Sequence, residues 1–123
     1  MHEKVRKEIW GYAKNETGTI QDFIEERYQG IRPAPGYPAC PDHTEKPAIF
    51  DLLGVTGSIG IRLTETFVMN PAASVCGLYF AHPAAKYFSV GKALKDQIED
   101  YSARKKMPLS GVEKMLSANL QYQ

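Results

Sequence analysis

A proline-rich loop at residues 30–43 carries the side chains best suited to binding a ligand. It reads GIRPAPGYPACPDH, so four prolines and two glycines surround Arg32, Tyr37 and His43. Each proline fixes its own φ and restricts the residue before it, so the loop loses little entropy when it meets a ligand. A plain connection between two helices is also rich in Pro and Gly, and composition alone leaves both interpretations open.

Residue types typical of catalysis or metal binding form no convincing pattern elsewhere. We find no nucleophile paired with a base and no paired carboxylates, so we predict no catalytic residue. The set Cys40, His43, Cys76 and His82 has the ligand types of a zinc site. Pro41 stiffens the backbone of the first pair, and the second pair lies in a predicted strand. The two pairs therefore need not converge, and we predict no metal.

A glycine-rich segment at residues 54–60, GVTGSIG, resembles a phosphate-binding loop only superficially. Such a loop ends in Gly-Lys-Ser/Thr and leads into a helix whose N-terminus faces the phosphates. Here Ile61 and Arg62 follow, in a predicted strand. We interpret the segment as a flexible connection between a helix and a strand.

Composition indicates one globular domain over residues 1–123. The chain has 15 basic and 14 acidic residues, and 43% of its residues are hydrophobic. A net charge of +1 argues against nucleic-acid binding, which usually needs a clear basic excess. The basic cluster Arg104-Lys105-Lys106 is predicted to be a solvated helix end, where cations are favoured by the helix dipole.

The sequence also predicts a cytoplasmic protein without a membrane partner. No apolar run approaches the roughly 20 residues that span a bilayer. The first six residues, MHEKVR, carry both charges and lead into no apolar segment, so we expect no signal peptide. Cys40 and Cys76 are therefore expected to be free thiols.

Three helices are predicted in the first half of the chain. Residues 2–13 carry apolar side chains at helical intervals, and Thr19 is suited to cap a second helix that ends at Gly30. A third helix is predicted to begin at Thr44 and to stop at Gly54. The apolar side chains that it is expected to bury are Ile49, Leu52 and Leu53.

The second half is predicted to contain strands and then helices. The strands are expected at residues 62–69, 74–81 and 86–90, the last two joined by a turn at 82–85. A helix at residues 92–105 and a short one capped by Ser110 complete the chain. The fold class is therefore α+β, an antiparallel sheet with helices at both ends of the chain.

Several runs of the sequence resemble one family. The run at residues 28–46, YQGIRPAPGYPACPDHTEK, resembles the reactivation domain of cobalamin-dependent methionine synthase, which binds S-adenosylmethionine. The resemblance extends over essentially the whole chain. The other matching runs are VRK at 5–7, WGYA at 10–13, LTETF at 63–67, PAASV at 71–75, YFAHP at 79–83, KYF at 86–88, DQIEDY at 96–101 and ANL at 118–120.

The resemblance implies a set of ligand-binding residues. Arg32 and the pair Tyr87 and Phe88 correspond to the family's S-adenosylmethionine-binding residues. The planar guanidinium of Arg32 suits the ligand's carboxylate, because it can donate two parallel hydrogen bonds. Glu26 is a candidate for the positive end of the ligand. Backbone groups at Ala34, held still between two prolines, are candidates for the adenine edge. One of the two adjacent aromatic residues is expected to belong partly to the core.

The resemblance also implies a repair reaction. The domain presents S-adenosylmethionine to inactive cob(II)alamin, which a neighbouring domain holds, while flavodoxin or an equivalent donor supplies an electron. Tyr37 is expected to face the corrin. His43 is expected near the corrin as well, although it is equally suited to cap the following helix. The implied enzyme is a methyltransferase of methionine biosynthesis, and this chain alone is not expected to catalyse the reaction.

The family's domain is longer than this chain, which resembles its C-terminal portion and is expected to lack an upstream aspartate that contacts the ligand. The fold is therefore expected to be truncated on its N-terminal side. Whether the chain is a fragment or a natural split subunit, and its oligomeric state, stay open. The alternative function is a structural or protein-docking module that binds no small molecule.

Overall fold

The first helix is shorter than its hydrophobic pattern predicts. The computed structural model describes residues 1–122, in which α1 spans His2–Lys4 and continues as a π-helical turn over Val5–Ile9. The Trp10 amide donates to the Val5 carbonyl at 2.9 Å, and Gly11 then adopts φ 62°. A left-handed residue cannot continue a right-handed helix, so the predicted helix at residues 2–13 ends early.

Helix α2, Ile20–Ile24, begins as predicted and ends sooner than predicted. The Thr19 hydroxyl accepts from the Asp22 amide at 3.2 Å, and the Asp22 carboxylate accepts from the Thr19 amide at 2.8 Å. This reciprocal capping box satisfies two amides that the helix leaves unpaired. Glu26 has φ 58°, so the helix does not reach Gly30.

A short 3₁₀ turn, His43–Glu45, precedes α3, and its cap differs from the prediction. The Asp42 carboxylate accepts from the Thr44 amide at 2.7 Å. The cap of this turn is therefore Asp42, and the interpretation that His43 caps the following helix is wrong. Aspartate serves better here because an ionised carboxylate accepts a stronger hydrogen bond than a hydroxyl.

Helix α3 spans Lys46–Leu53 and stops at Gly54, which has φ 57°. The stop confirms the prediction, since glycine adopts the left-handed conformation at little cost. The predicted buried face is wrong for Leu52 and Leu53, whereas Ile49 is half-buried. Phe50 is buried, whereas Leu52 is 86% exposed and Leu53 is also exposed.

The segment after Gly54 is not a flexible connection. Residues Val55–Ile59 form a short helix, α4, which ends at Gly60. The predicted strand at residues 62–69 is a small hairpin, in which β1, Arg62–Leu63, pairs antiparallel with β2, Met69–Asn70. A hydrogen bond of 2.9 Å from the Thr64 amide to the Val68 carbonyl closes its turn.

The two strands predicted at residues 74–81 and 86–90 do not form a ladder in the described part of the chain. Their connection is a turn as predicted, with the Ala85 amide donating to the His82 carbonyl at 2.9 Å. Phe80 instead forms an isolated antiparallel bridge with Ile31. The antiparallel pairing partner therefore lies far upstream in sequence.

Two helices near the C-terminus carry a small core. Helix α5 spans Lys95–Lys105 and α6 spans Leu109–Met115, followed by a 3₁₀ turn, Ser117–Asn119. The α6 cap is Pro108 rather than Ser110. The most buried apolar side chains here are Ile98, Val112 and Leu116.

Lys105 departs from the predicted solvated helix end. Its ammonium donates to the Asp42 carboxylate at 2.9 Å and contacts Glu45, while Tyr101 donates to Asp42 at 2.7 Å. Asp42 is itself buried. This charged cluster, Asp42, Glu45, Tyr101 and Lys105, ties the start of α3 to the end of α5.

By contacts, the chain divides into two compact units, each described by itself. The first contains Met1–Pro33 and Gly77–Tyr87, and the second contains Ala34–Cys76 with Phe88 and the residues after it. The single domain over residues 1–123 stays a prediction. In residues 1–122 no helix has the length and apolar character to cross a membrane.

Candidate functional site

A cleft of about 320 Å³ in the first unit combines acidic, basic and hydroxyl groups. Tyr28 and Tyr87 form one part of its lining, and Glu26 and Lys86 bring opposite charges to it. The remaining lining residues are Glu25, Gly30, Ile31, Pro83 and Ala85. Such a mixture suits a small ligand that carries both charges.

Tyr87 links two segments that are far apart in sequence. Its hydroxyl accepts from the backbone amide of Arg32 at 2.9 Å and lies 3.2 Å from the hydroxyl of Tyr28. Burial and the neighbouring Tyr87 hydroxyl raise the pKa of Tyr28 to about 12. Tyr28 therefore keeps its proton at neutral pH, and either of the two tyrosine hydroxyls is able to donate to the other.

Arg32 lies beside these hydroxyl groups. Burial lowers the pKa of its guanidinium, but the hydroxyls of Tyr28 and then Tyr87 outweigh that effect, and the net shift is upward. Arg32 is exposed, and among residues 1–122 neither it nor Glu26 makes an ion pair. Both charges are thus available to a ligand.

Arg6, which forms a buried ion pair with Glu16, packs against the ring of Tyr28. The Arg6 guanidinium lies 4.6 Å from the centre of the Tyr28 ring, and its Nε donates to the Glu16 carboxylate at 2.8 Å. The other Glu16 oxygen accepts from the Gln29 amide at 3.2 Å. Arg6 is almost wholly buried. These contacts hold the segment from which Tyr28 projects.

Backbone pairing fixes the Arg32 segment against residues 78–80. Ile31 and Phe80 exchange two hydrogen bonds of 3.0 Å, and the Leu78 amide donates to the Pro33 carbonyl at 2.9 Å. Gly30 makes this approach possible. It has φ 81°, and a Cβ there would lie 2.4 Å from the Phe80 carbonyl oxygen.

The predicted ligand residues are distributed over both units. Glu26, Arg32 and Tyr87 belong to the first unit, where Glu26 and Tyr87 line the cleft and Tyr87 accepts the hydrogen bond from Arg32. Ala34 and Phe88 belong to the second unit. Tyr87 is half-buried and Phe88 is 60% exposed, so Tyr87 is the aromatic residue that belongs partly to the core.

The residues predicted to face the corrin lie in one tight loop of the second unit. Tyr37 is 67% exposed, and the loop around it is closed by hydrogen bonds of 2.8 Å from the Gly36 amide to the Cys40 carbonyl and from the Cys40 amide to the Tyr37 carbonyl. His43 is exposed, and its Nδ1 lies 2.9 Å from the Lys46 ammonium. Tyr37 is thus presented to solvent by a rigid turn.

Two cleft residues received no role in the sequence analysis. Tyr28 and Lys86 each stand next to an assigned motif, at the first position of the run at residues 28–46 and directly before Tyr87. Their positions beside these motifs are the feature of the sequence that points to them. The hydroxyl contact between Tyr28 and Tyr87 has no sequence signature, because 59 positions separate them.

A second cleft, of about 380 Å³, borders the charged cluster in the other unit. Lys105 there is already paired with Asp42 and Glu45, and Arg104 pairs with Asp100 at 2.6 Å. Its charges therefore satisfy one another, and the first cleft is the better ligand site.

Metal-type residues are scattered in the described part of the chain. In residues 1–122 no group of three or more His, Cys, Asp or Glu side chains is placed to hold a metal ion. Cys40 and Cys76 are free and half-buried, and burial raises the pKa of both thiols.

Comparison with known families identifies the chain. A sequence model described as "Vitamin B12 dependent methionine synthase, activation domain" matches residues 1–106. The chain belongs to this family. It is also similar to a solved structure, "Crystal Structure of the MetH Reactivation Domain bound to AdoHcy", with 55% sequence identity and a TM-score of 0.90. The match covers 99% of this chain and 38% of that chain, so this chain spans well under half of the length of that chain. The predicted α+β fold class is confirmed by this likeness.

Proposed function

We propose that the cleft of the first unit binds S-adenosylmethionine and presents it for the reactivation of cobalamin-dependent methionine synthase. The observation that carries this proposal is the hydrogen bond from the Arg32 amide to the hydroxyl of Tyr87. Tyr87 lines the cleft together with Glu26. The similar solved structure is described as bound to AdoHcy, the product that remains when S-adenosylmethionine gives up its methyl group.

The charges available in the cleft match the amino-acid part of this ligand. The Arg32 guanidinium binds the carboxylate through two parallel hydrogen bonds, and Glu26 binds the ammonium. Among the described residues both side chains lack an ion-pair partner, so a ligand need not displace one. Ionic hydrogen bonds of this kind contribute about 1.5–3 kcal/mol each.

The remaining parts of the ligand require aromatic surface and backbone groups. Tyr87 supplies a ring for the adenine or the sulfonium, and a cation over a ring face gains about 0.5–2 kcal/mol. The roles of Phe88 and of the Ala34 backbone, which belong to the second unit, stay predictions from the sequence. The half-buried position of Tyr87 supports this role, since burial fixes its ring.

The chemistry requires a positioned donor rather than an acid or a base. Methyl transfer from a sulfonium releases a neutral thioether, so no proton has to move to the leaving group. Cobalamin, held by a neighbouring domain and reduced by flavodoxin or an equivalent electron donor, would supply the acceptor for the methyl group. The part of this chain is to hold the methyl donor, and Tyr37 and His43 face the corrin.

Calorimetric titration with three ligands tests the role of Arg32. S-adenosylmethionine and S-adenosylhomocysteine carry the carboxylate, whereas 5′-methylthioadenosine lacks it. Arg32→Ala is expected to weaken the first two ligands roughly 10- to 100-fold and to leave the third unchanged. Arg32→Lys keeps the charge but loses the paired hydrogen bonds, and an intermediate loss is expected.

The matched control is Arg62→Ala, because Arg62 is an exposed arginine of β1 in the other unit. Its affinities should equal those of the unchanged chain. Equal affinity of Arg32→Ala for S-adenosylmethionine would remove Arg32 from the site. A folded chain whose melting temperature does not rise with saturating S-adenosylmethionine would favour the docking-module alternative.

A further inference from the structure

Lys46 is buried in an unusual way. It stands at the start of α3 and is only 6% exposed, although lysine is rarely buried without an acidic partner. Its Nζ donates to the Phe67 carbonyl at 2.9 Å and lies 2.9 Å from Nδ1 of His43. In the described residues it makes no salt bridge. Nearby Cys76 does not balance the charge, because burial raises the pKa of its thiol.

The contact with His43 has a defined direction. A lysine ammonium has three N–H donors and no acceptor. Nδ1 of His43 must therefore accept this hydrogen bond, and a neutral imidazole that accepts at Nδ1 carries its hydrogen on Nε2.

Gly36 holds the other edge of the ring. A Cβ at this position would lie 2.1 Å from Cε1 and 2.6 Å from Nε2 of His43, so the imidazole packs directly on the glycine backbone. Phe67, whose carbonyl holds Lys46, has φ 60° and closes the turn of the β-hairpin. The Lys46 ammonium thus connects this hairpin turn with the ring of His43.

We propose that Lys46 is a positioning residue that fixes His43 as the Nε2–H tautomer, so that the loop of Tyr37 and His43 presents a hydrogen-bond donor. His43 then serves neither as a base nor as a metal ligand through Nε2. Its partner is an oxygen acceptor such as an amide carbonyl. That this oxygen belongs to the amide groups on the corrin rim rests on the proposed function, whereas the tautomer does not.

Nitrogen-detected NMR of the ¹⁵N-labelled chain without any ligand measures the tautomer. Long-range ¹H–¹⁵N correlations distinguish an acceptor nitrogen from a protonated one in each of the three histidines, and His43→Gln assigns the signals. The expected pattern at neutral pH is an unprotonated Nδ1 and a protonated Nε2 for His43. A protonated Nδ1 in the unchanged chain overturns the proposal before any variant is made.

Two substitutions then test whether Lys46 is the cause. Lys46→Met removes the donor and should give a mixture of tautomers at His43, with an unchanged signal at His82. Lys46→Gln keeps an N–H donor and should restore much of the Nε2–H form. The control is Lys95→Met, an exposed lysine at the start of α5. Persistence of the pure Nε2–H form in folded Lys46→Met contradicts the proposal.

The outcome is separate from that of the proposed function. The tautomer is measured without S-adenosylmethionine or cobalamin, so failure of ligand binding leaves it untouched. If Lys46→Met does not fold, the comparison of the unchanged chain with Lys46→Gln decides the question. In that case Nδ1 of His43 should stay the acceptor in both, and a protonated Nδ1 in either one refutes the assignment.

Discussion

Replacing Asp42 by alanine removes the centre of the charged cluster that joins α3 to α5. The Asp42 carboxylate accepts from the Thr44 amide at 2.7 Å, the Thr44 hydroxyl at 2.8 Å, the Tyr101 hydroxyl at 2.7 Å and the Lys105 ammonium at 2.9 Å. Asp42→Ala leaves all four donors without this acceptor. Because Asp42 is 6% exposed, water replaces the lost contacts poorly.

The expected cost is about 3 kcal/mol of unfolding free energy. Removing one partner of a buried ion pair costs roughly 3–5 kcal/mol, since the other charge is left uncompensated. The lower end applies here, because Lys105 keeps its contact with Glu45 and its side chain is 15% exposed. With an unfolding entropy of about 2.1 cal/mol/K per residue, this loss lowers the melting temperature by roughly 10 °C.

Urea denaturation followed by circular dichroism at pH 7 measures the effect. Asp42→Asn keeps one oxygen acceptor and should lose less stability than Asp42→Ala. The matched control is Asp51→Ala, because Asp51 is an exposed aspartate of α3, and a change within about 0.5 kcal/mol is expected there. A loss below 1 kcal/mol for Asp42→Ala would refute the idea that the cluster stabilises the second unit.

Two further predictions concern the same unit. Burial raises the pKa of Asp42, but Lys105 and the other donors outweigh it and hold the pKa below its ordinary value of 3.8. The stabilisation by Asp42 is therefore complete above that value and declines as the pH falls below it. The urea midpoints of the unchanged chain and of Asp42→Asn should converge between pH 4 and about pH 2. A difference between the midpoints that stays constant over this range would contradict the expected loss of stabilisation in acid. Gly36→Ala places a Cβ against the His43 ring at φ 97° and should destabilise the chain by about 1–3 kcal/mol in the same urea assay. Gly57→Ala is its control, because a Cβ there meets nothing within 4 Å and alanine favours the α4 helix, so equal effects of the two would argue against the clash.

Local signals in the sequence predicted the helix boundaries that depend on one or two residues. The Thr19 cap and the Gly54 stop are correct, because both act within a single turn of helix. The turn at residues 82–85 is correct for the same reason. Such features need no distant partner, and neighbouring residue types are enough to specify them.

Features that depend on distant partners were missed. The residues at 74–81 and 86–90 have the composition of strands. β-propensity, however, depends on packing against a neighbouring strand, and the composition does not identify that neighbour. Lys105 was assigned to a solvated helix end because its partner, Asp42, lies 63 positions away. Leu52 and Leu53 were assigned to the core although they are exposed, since a short helix leaves the choice of its buried face to tertiary packing.

The candidate site was predicted only in part. The family resemblance selected Arg32 and Tyr87, and the charge of the ligand suggested Glu26. The structure adds a direct hydrogen bond from the Arg32 amide to the Tyr87 hydroxyl. Neither periodicity nor composition predicts that contact, because its two residues are 55 positions apart in the sequence. Tyr28 and its support by Arg6 likewise became apparent only from the packing of the first unit.

The contact between the hydroxyls of Tyr28 and Tyr87 leaves one of their two hydrogens free to bind a ligand. The two hydroxyls own two hydrogens, and their mutual hydrogen bond uses one. The Arg32 amide brings its own hydrogen to Tyr87, so it consumes neither. Whichever tyrosine donates to the other, one O–H remains without an acceptor in the described residues. The cleft thus always offers one hydroxyl donor. A ligand oxygen can accept this hydrogen bond while both tyrosines stay protonated.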